Sequence, residues 1–202
     1  MALALYIHWP FCLKKCPYCD FNSHVRDGVD MAAWEAALLA DMAFEREATG
    51  PDTLTSIFFG GGTPSLLGAS GLSAVLDAVR ESFGLAPDAE VTTEANPEST
   101  SPEFFAGLRA AGYTRVSLGM QSTAVHVLAA LDRVHSPGRA LDAAREAAAA
   151  GFEHVSLDLI YGTPGESDDD LVRSVEAAIG AGIDHLSAYA LVVEDGTALA
   201  RR

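Results

Sequence analysis

Three stretches in the second half of the chain repeat one pattern: Ala111-Gly-Tyr-Thr-Arg-Val-Ser-Leu-Gly119, Ala150-Gly-Phe-Glu-His-Val-Ser-Leu-Asp158 and Ala181-Gly-Ile-Asp-His-Leu-Ser-Ala-Tyr189. Each reads as a helix closed by a glycine, then an apolar residue, two polar residues and a strand. The repeats begin 39 and 31 residues apart, the length of one helix plus one strand. Such repetition predicts parallel strands joined by helices, as a doubly wound sheet or a partial barrel.

The first half supplies the same alternation. Strands are expected at Leu3–Trp9, Thr55–Phe59 and Glu90–Glu94, which makes six with the repeats and puts a helix between each consecutive pair. Met31–Ala48 has Trp34, Ala37, Leu38 and Met42 at helical spacing. A second helix is expected from an N-cap at Ser70 through Phe83, stopped by Gly84. Ser101-Pro102-Glu103 opens a third, which ends at Gly112, and Ser136-Pro137 and Ser167-Asp168-Asp169-Asp170 open two more. The strands read as near-continuous apolar runs, so a sheet covered on both faces is expected. The chain stops at Arg202 without a helix after the sixth strand. Residues 1–202 are therefore expected to be one core domain of a longer protein, and on the alternation alone a doubly wound sheet and a partial barrel both stay open.

Composition narrows the function classes. Of 202 residues 49% are hydrophobic, which suits one sizeable core, and the net charge of -15 speaks against binding a phosphate backbone. No run approaches the length of a membrane span, and Met1–Trp9 is too short and lacks the basic front of a secretory signal. Three cysteines in one loop make no disulfide framework, so a reducing cytoplasm is the expected compartment.

Those cysteines, Cys12, Cys16 and Cys19, follow the first strand with the spacing Cys-x3-Cys-x2-Cys. Three such thiolates suit a four-iron cluster with one iron left open to another ligand. A zinc site with His8 or His24 as fourth ligand is the alternative, although structural zinc sites favour paired Cys-x2-Cys knuckles. In parallel α/β architectures ligands sit at the carboxyl ends of the strands. There the sequence puts the cysteines, Gly60-Gly61-Gly62-Thr63, Glu94, Gln121, Asp158, and Tyr189 with Ala190. Each has a plainer reading: a tight turn for the glycines, a structural ion pair for Glu94, a turn cap for Asp158. A solvated charge for Arg133 and surface or packing roles for His126, His135, His154 and His185 are the ordinary expectations.

The cysteine loop resembles that of the radical S-adenosylmethionine (SAM) superfamily. More narrowly, Tyr6-Ile-His-Trp-Pro-Phe-Cys12, Phe58-Phe-Gly-Gly-Gly-Thr-Pro-Ser65, Glu94-Ala-Asn-Pro97, Ser117-Leu-Gly-Met-Gln-Ser122 and Asp158-Leu-Ile-Tyr-Gly162 resemble the oxygen-independent coproporphyrinogen III oxidase group. True dehydrogenases of that group carry a further cysteine two residues after the last cluster cysteine. Here that position is Phe21, in Cys-Pro-Tyr-Cys-Asp-Phe-Asn-Ser, which is similar to the HemW branch of heme chaperones. The resemblance implies an α/β fold, a partial (β/α)6 TIM-like barrel without its closing helix and C-terminal domain, and a [4Fe–4S] cluster on Cys12, Cys16 and Cys19. It implies SAM contacts from Tyr6, Tyr18, Gly61, Gly62, Thr63, Glu94, Gln121, Arg133, Asp158 and, more loosely, Ala190. It also implies heme or a porphyrin, an electron-donor protein and a heme acceptor as partners.

Overall fold

The structure is a computed structural model that describes residues 3–50, 53–133, 136 and 138–201. Six strands form one parallel sheet: β1 (Leu3–Trp9), β2 (Thr53–Gly61), β3 (Gly84–Ala95), β4 (Arg115–Gln121), β5 (His154–Tyr161) and β6 (His185–Ala190). Their order in space is their order in sequence, β1 through β6. A doubly wound sheet reverses its strand order at a switch point; this sheet does not, and the partial barrel is the architecture found. The connecting helices are α1 (Met31–Thr49), α2 (Gly68–Ser82), α3 (Pro102–Ala111), α4 (Val125–Ala130), α5 (Arg139–Ala149) and α6 (Asp168–Gly180).

The sheet has one covered face. Ile7, Ile57, Phe59, Val91, Val116, Leu118, Val155 and Leu157 are buried together with Leu72, Leu76, Phe105, Leu108, Ala143 and Ala147 of the helices. The alternate positions, Tyr6, Phe58, Glu94, Ser117 and Asp158, are exposed or half-buried. This corrects the expectation of a sheet covered on both faces. Ile57-Phe58-Phe59 reads as continuous apolar sequence, yet Phe58 points away from Ile57 and Phe59 because successive side chains of a strand face opposite ways. The second face is the lumen of the partial barrel, and it is polar.

Several boundaries differ from expectation for visible reasons. β3 starts at Gly84, not Glu90, because Thr53↔Gly84 and Leu54↔Leu85 extend its pairing with β2 before an irregularity in the register. α2 starts at Gly68, directly after a 3-10 turn over Pro64–Leu67, and has no side-chain cap; Ser70 lies inside it. On α1 the inward residues are Trp34, Leu38, Met42 and Arg46, spaced by four, and Ala37 is exposed. α4 is a short helix with no strong sequence signal, and α5 begins at Arg139 after Gly138 at φ 86°. The start expected at Ser136-Pro137 falls partly, and His135 wholly, outside the described residues. Elsewhere the caps match. Ser101 accepts from the Phe104 N–H, Gly112 closes α3 in the left-handed region, and Ser167 and Asp170 form a reciprocal capping box on α6. His126 lies 3.3 Å from Asp170, His154 bonds Asp184 at 2.5 Å, and His185 is exposed.

Candidate cluster and SAM site

The cysteine loop leaves β1 over an aromatic base. Trp9 and Phe11 are buried and pack edge-to-face with each other and with Trp34 of α1. The loop is closed at its neck: Cys12 N–H donates to His24 O (3.0 Å) and His24 N–H to Pro10 O (2.7 Å). His8 ties the far end. Its Nε2 lies 2.9 Å from the Asn22 carbonyl, an acceptor only, so Nε2 carries the proton and Nδ1 accepts from Tyr6 Oη at 3.1 Å. His24 Nε2 is 3.2 Å from Asn22 Oδ1. Neither histidine is turned to the thiols as a zinc ligand would be. Among the described residues no three His, Cys, Asp or Glu side chains converge on one ion position. A four-iron cluster differs from zinc in this respect, since each thiolate takes its own iron.

The triple glycine is needed because β2 runs against this loop. A Cβ on Gly61 (φ 106°) would lie 2.6 Å from the His8 ring, and one on Gly62 would lie 2.6 Å from Phe11 O. The N–H groups there are already used: Gly61 to Glu94 Oε2 (3.2 Å), Gly62 to Trp9 O (2.6 Å) and Thr63 to Phe11 O (2.8 Å). Backbone contact with a ligand at Gly61 and Gly62 is left to carbonyl oxygens, which suit an ammonium.

Inside the loop Cys19 N–H donates to Cys16 O at 3.1 Å. Thr63 Oγ1 lies 3.5 Å from Cys12 Sγ, Arg133 Nη1 3.3 Å from Cys16 Sγ, and Ser23 Oγ 4.0 Å from Cys19 Sγ. Arg133, which the resemblance places on SAM, lines the cavity and has its Nη1 on the Cys16 sulfur. Burial pushes the Cys19 thiol up from its ordinary value, against hydrogen bonds from Phe21 N–H and Ser23. Tyr18, beside Cys16, is raised strongly by burial.

The lumen contributes carboxylates and an amide. Glu94 is pushed up to about 7 by burial and by the charge of Asp158, with the Gly61 N–H opposing. Asp158 is also raised, by burial, against Ser117 Oγ at 3.0 and 3.1 Å from its two oxygens and against Ser187 and His185. Gln121 takes φ 61° where the β4–β5 register slips between Gly119 and Gln121. Its buried Oε1 has no partner among the described residues.

A cavity of about 480 Å³ joins these groups. Cys12, Cys16, Cys19, Tyr18, Gly62, Thr63, Glu94, Gln121, Arg133, Asp158 and Ala190 line it. Gly61 and Tyr6 do not: Gly61 acts through Glu94, and Tyr6, 56% exposed, stacks on Phe58 lower in the lumen. Ser117, Ile160 and Phe21 also line it and were not singled out as ligand contacts from sequence; Tyr189, placed at this rim from sequence, lines it too. Ser117 had a signal, since the period of two puts it on the face of Gly119 and Gln121. The surroundings fit SAM and a cluster on their own evidence. Three thiols face an orphaned buried acceptor and two destabilised carboxylates across one cavity, as a cationic sulfonium with an amine and a ribose would require.

A family model described as the radical SAM superfamily matches residues 6–178. The chain belongs to that superfamily. Membership implies a [4Fe–4S] cluster and SAM. The chain is 65% identical over 201 residues to the heme chaperone HemW of Mycobacterium tuberculosis, covering 98% of this chain and 52% of that protein. It is 40% identical over 201 residues to HemW of Escherichia coli, covering 99% of this chain and 53% of that protein. The radical SAM enzyme coproporphyrinogen III oxidase (HemN) of Escherichia coli superposes with a TM-score of 0.85 at 27% identity, covering 95% of this chain and 44% of that one. The chain thus spans about half the length of the curated relatives it matches. No helix among the described residues is long and apolar enough to cross a membrane.

Proposed function

We propose that the chain is the cluster- and SAM-binding core of a HemW-type heme chaperone, working in a reducing, cytoplasmic setting with heme as its cargo. The observation that carries the reading is the single cavity in which Cys12, Cys16 and Cys19 face Glu94, Gln121 and Asp158. The 65% identity to a protein named heme chaperone supports the heme half. In this reading Cys12, Cys16 and Cys19 hold the cluster. Glu94 and Asp158 accept from the ammonium and hydroxyl donors of SAM, and Gln121 Oε1 gains the donor it lacks. Gly62 and Thr63 wall the methionine end and Gly61 holds Glu94, while Tyr18 and Ala190 close the sides of the cavity and Tyr6 holds His8. When bound, the cluster supplies one electron for reductive cleavage of a sulfonium, delivered by a donor protein. The residues of the chain align the ligands and exclude water.

The likeness to HemN favours a second reading, oxidative decarboxylation of coproporphyrinogen III. Phe21 stands against it: the position of the extra cysteine holds an aromatic ring, 57% exposed at the cavity wall. Anaerobic incubation of the intact protein with coproporphyrinogen III, SAM and dithionite separates the two. No protoporphyrinogen forms and heme is bound if the chaperone reading holds; turnover to protoporphyrinogen overturns it. Tight stoichiometric zinc with no iron or sulfide overturns both.

A further inference from the structure

Each cysteine of the loop has its own hydrogen-bond donor, and the donors come from three separate parts of the chain. Thr63 follows β2 and reaches Cys12, Arg133 follows α4 and reaches Cys16, and Ser23 lies at the end of the cysteine loop and reaches Cys19. The distances, 3.5, 3.3 and 4.0 Å, run from a charged donor at the shortest to a hydroxyl at the longest. A thiolate ligated to iron has no proton to give, so each contact has one direction: hydroxyl or guanidinium to sulfur. Ser23 is buried, and its hydroxyl has no other partner among the described residues.

We infer that Thr63, Arg133 and Ser23 set the reduction potential of the cluster by donating one hydrogen bond to each cysteine sulfur. This rests on the cluster reading above and goes beyond it. Added electron density spreads onto the sulfurs, so a donor aimed at a sulfur stabilises the reduced cluster more than the oxidised one and raises the potential. Arg133 brings a full charge and the shortest contact, so it has the largest effect. Gly119 belongs to the same device. A Cβ there would lie 3.0 Å from Arg133 Nη2 and 2.9 Å from Gln121 Nε2, both free ends of side chains. An alanine at 119 would push the guanidinium aside by a few tenths of an ångström, so the bare Gly119 leaves room for its present contact with Cys16. Thr63, Arg133 and Ser23 are positioning residues in this sense; they act through the ligands.

The test is a dithionite titration of the intact, anaerobically reconstituted protein, followed by electron paramagnetic resonance, with iron and sulfide counted per chain. The variants are Thr63→Val, Ser23→Ala, Arg133→Gln and Gly119→Ala. The midpoint potential is expected to fall in all four at unchanged iron and sulfide, most in Arg133→Gln and least in Ser23→Ala. Gly119→Ala should follow Arg133→Gln in direction although it keeps the charge in the chain. Thr63→Ser should restore the starting value, and it carries the test with Gly119→Ala if Thr63→Val loses its cluster. A role in packing alone predicts changed cluster content and an unmoved potential. Full clusters with one common potential overturn the inference and leave the cluster reading intact. An unmodified protein that takes up no iron and sulfide overturns both.

Discussion

Glu94 sits where burial and the neighbouring Asp158 both disfavour its charge. It therefore holds a proton more tightly in the folded chain, up to about 7, than in the unfolded one, near 4.5. Between those values the folded state binds more protons, so stability falls as pH rises through the window and levels off above it. The full shift corresponds to on the order of 3 kcal/mol, with Asp158 acting in the same direction. Urea unfolding of the cofactor-free chain at a series of pH values should show this decline, and Glu94→Gln should flatten most of it. A slope that survives in Glu94→Gln assigns the effect elsewhere. Gly62 makes a second prediction at this scale. Its missing Cβ would meet the Phe11 backbone, which cannot swing aside as a side chain can. Gly62→Ala should cost about 1–3 kcal/mol and, by pushing the cysteine loop, lower the iron bound on reconstitution; wild-type iron content and melting temperature would show that the loop yields freely. These residues were only half legible. A Gly-Gly-Gly after a strand suggested bare backbone open to a ligand, but the N–H groups are used inside the fold, and only a three-dimensional view shows on what.

At the scale of elements, the readable parts were those whose signal is local. Ser101-Pro102-Glu103 with Gly112, and Ser167 with Asp170, announce helix ends because caps satisfy backbone groups within four residues. The start of α2 was not readable, since the preceding 3-10 turn takes over the cap and the sequence shows Ser70 as a decoy. The early half of β3 was hidden too. Gly84, Pro87 and Asp88 look like a loop, and only pairing with β2 makes the segment extended. The capping box of α6 offers a clean test. Ser167 accepts from Asp170 N–H, and Asp170 Oδ2 lies 3.0 Å from Ser167 N and 2.6 Å from its Oγ. Those bonds, with the Arg173 guanidinium, hold the Asp170 carboxyl well below its ordinary value. Ser167→Ala should cost about 1 kcal/mol and lower the melting temperature by roughly 2–4 °C without altering cluster content. A change in the cluster would mean that α6 reaches the site.

For the whole molecule, parallel strands joined by helices were legible from the spaced repeats, but the spacing alone left the order β1 to β6 open between a barrel and a doubly wound sheet. What escaped the sequence was that helices cover one face alone, which leaves a polar lumen facing the cavity. That arrangement has a mechanical consequence. The site draws on Cys12 after β1, Glu94 in β3, Gln121 in β4, Asp158 in β5 and Tyr189 in β6. A sheet with edges at β1 and β6 thus sends residues of several strands into one cavity at its carboxyl rim. The segment after β6 returns to the same rim, where Leu199 N–H donates to Pro17 O in the cysteine loop at 2.8 Å. Ligands that bind only the folded chain stabilise it by mass action, about 2.7 kcal/mol at a hundredfold excess over Kd. The stabilisation should be concentrated at the carboxyl rim, where a ligand in the cavity adds contacts to those of the strand ladders. Hydrogen exchange of the cluster-loaded protein with and without SAM should therefore slow most in residues 186–190 of β6 and 117–121 of β4. α1, whose Leu38 and Met42 pack into the core on the opposite face, should change least. Uniform slowing across the chain, α1 included, would show a global stabilisation with no ligand bridge at the rim.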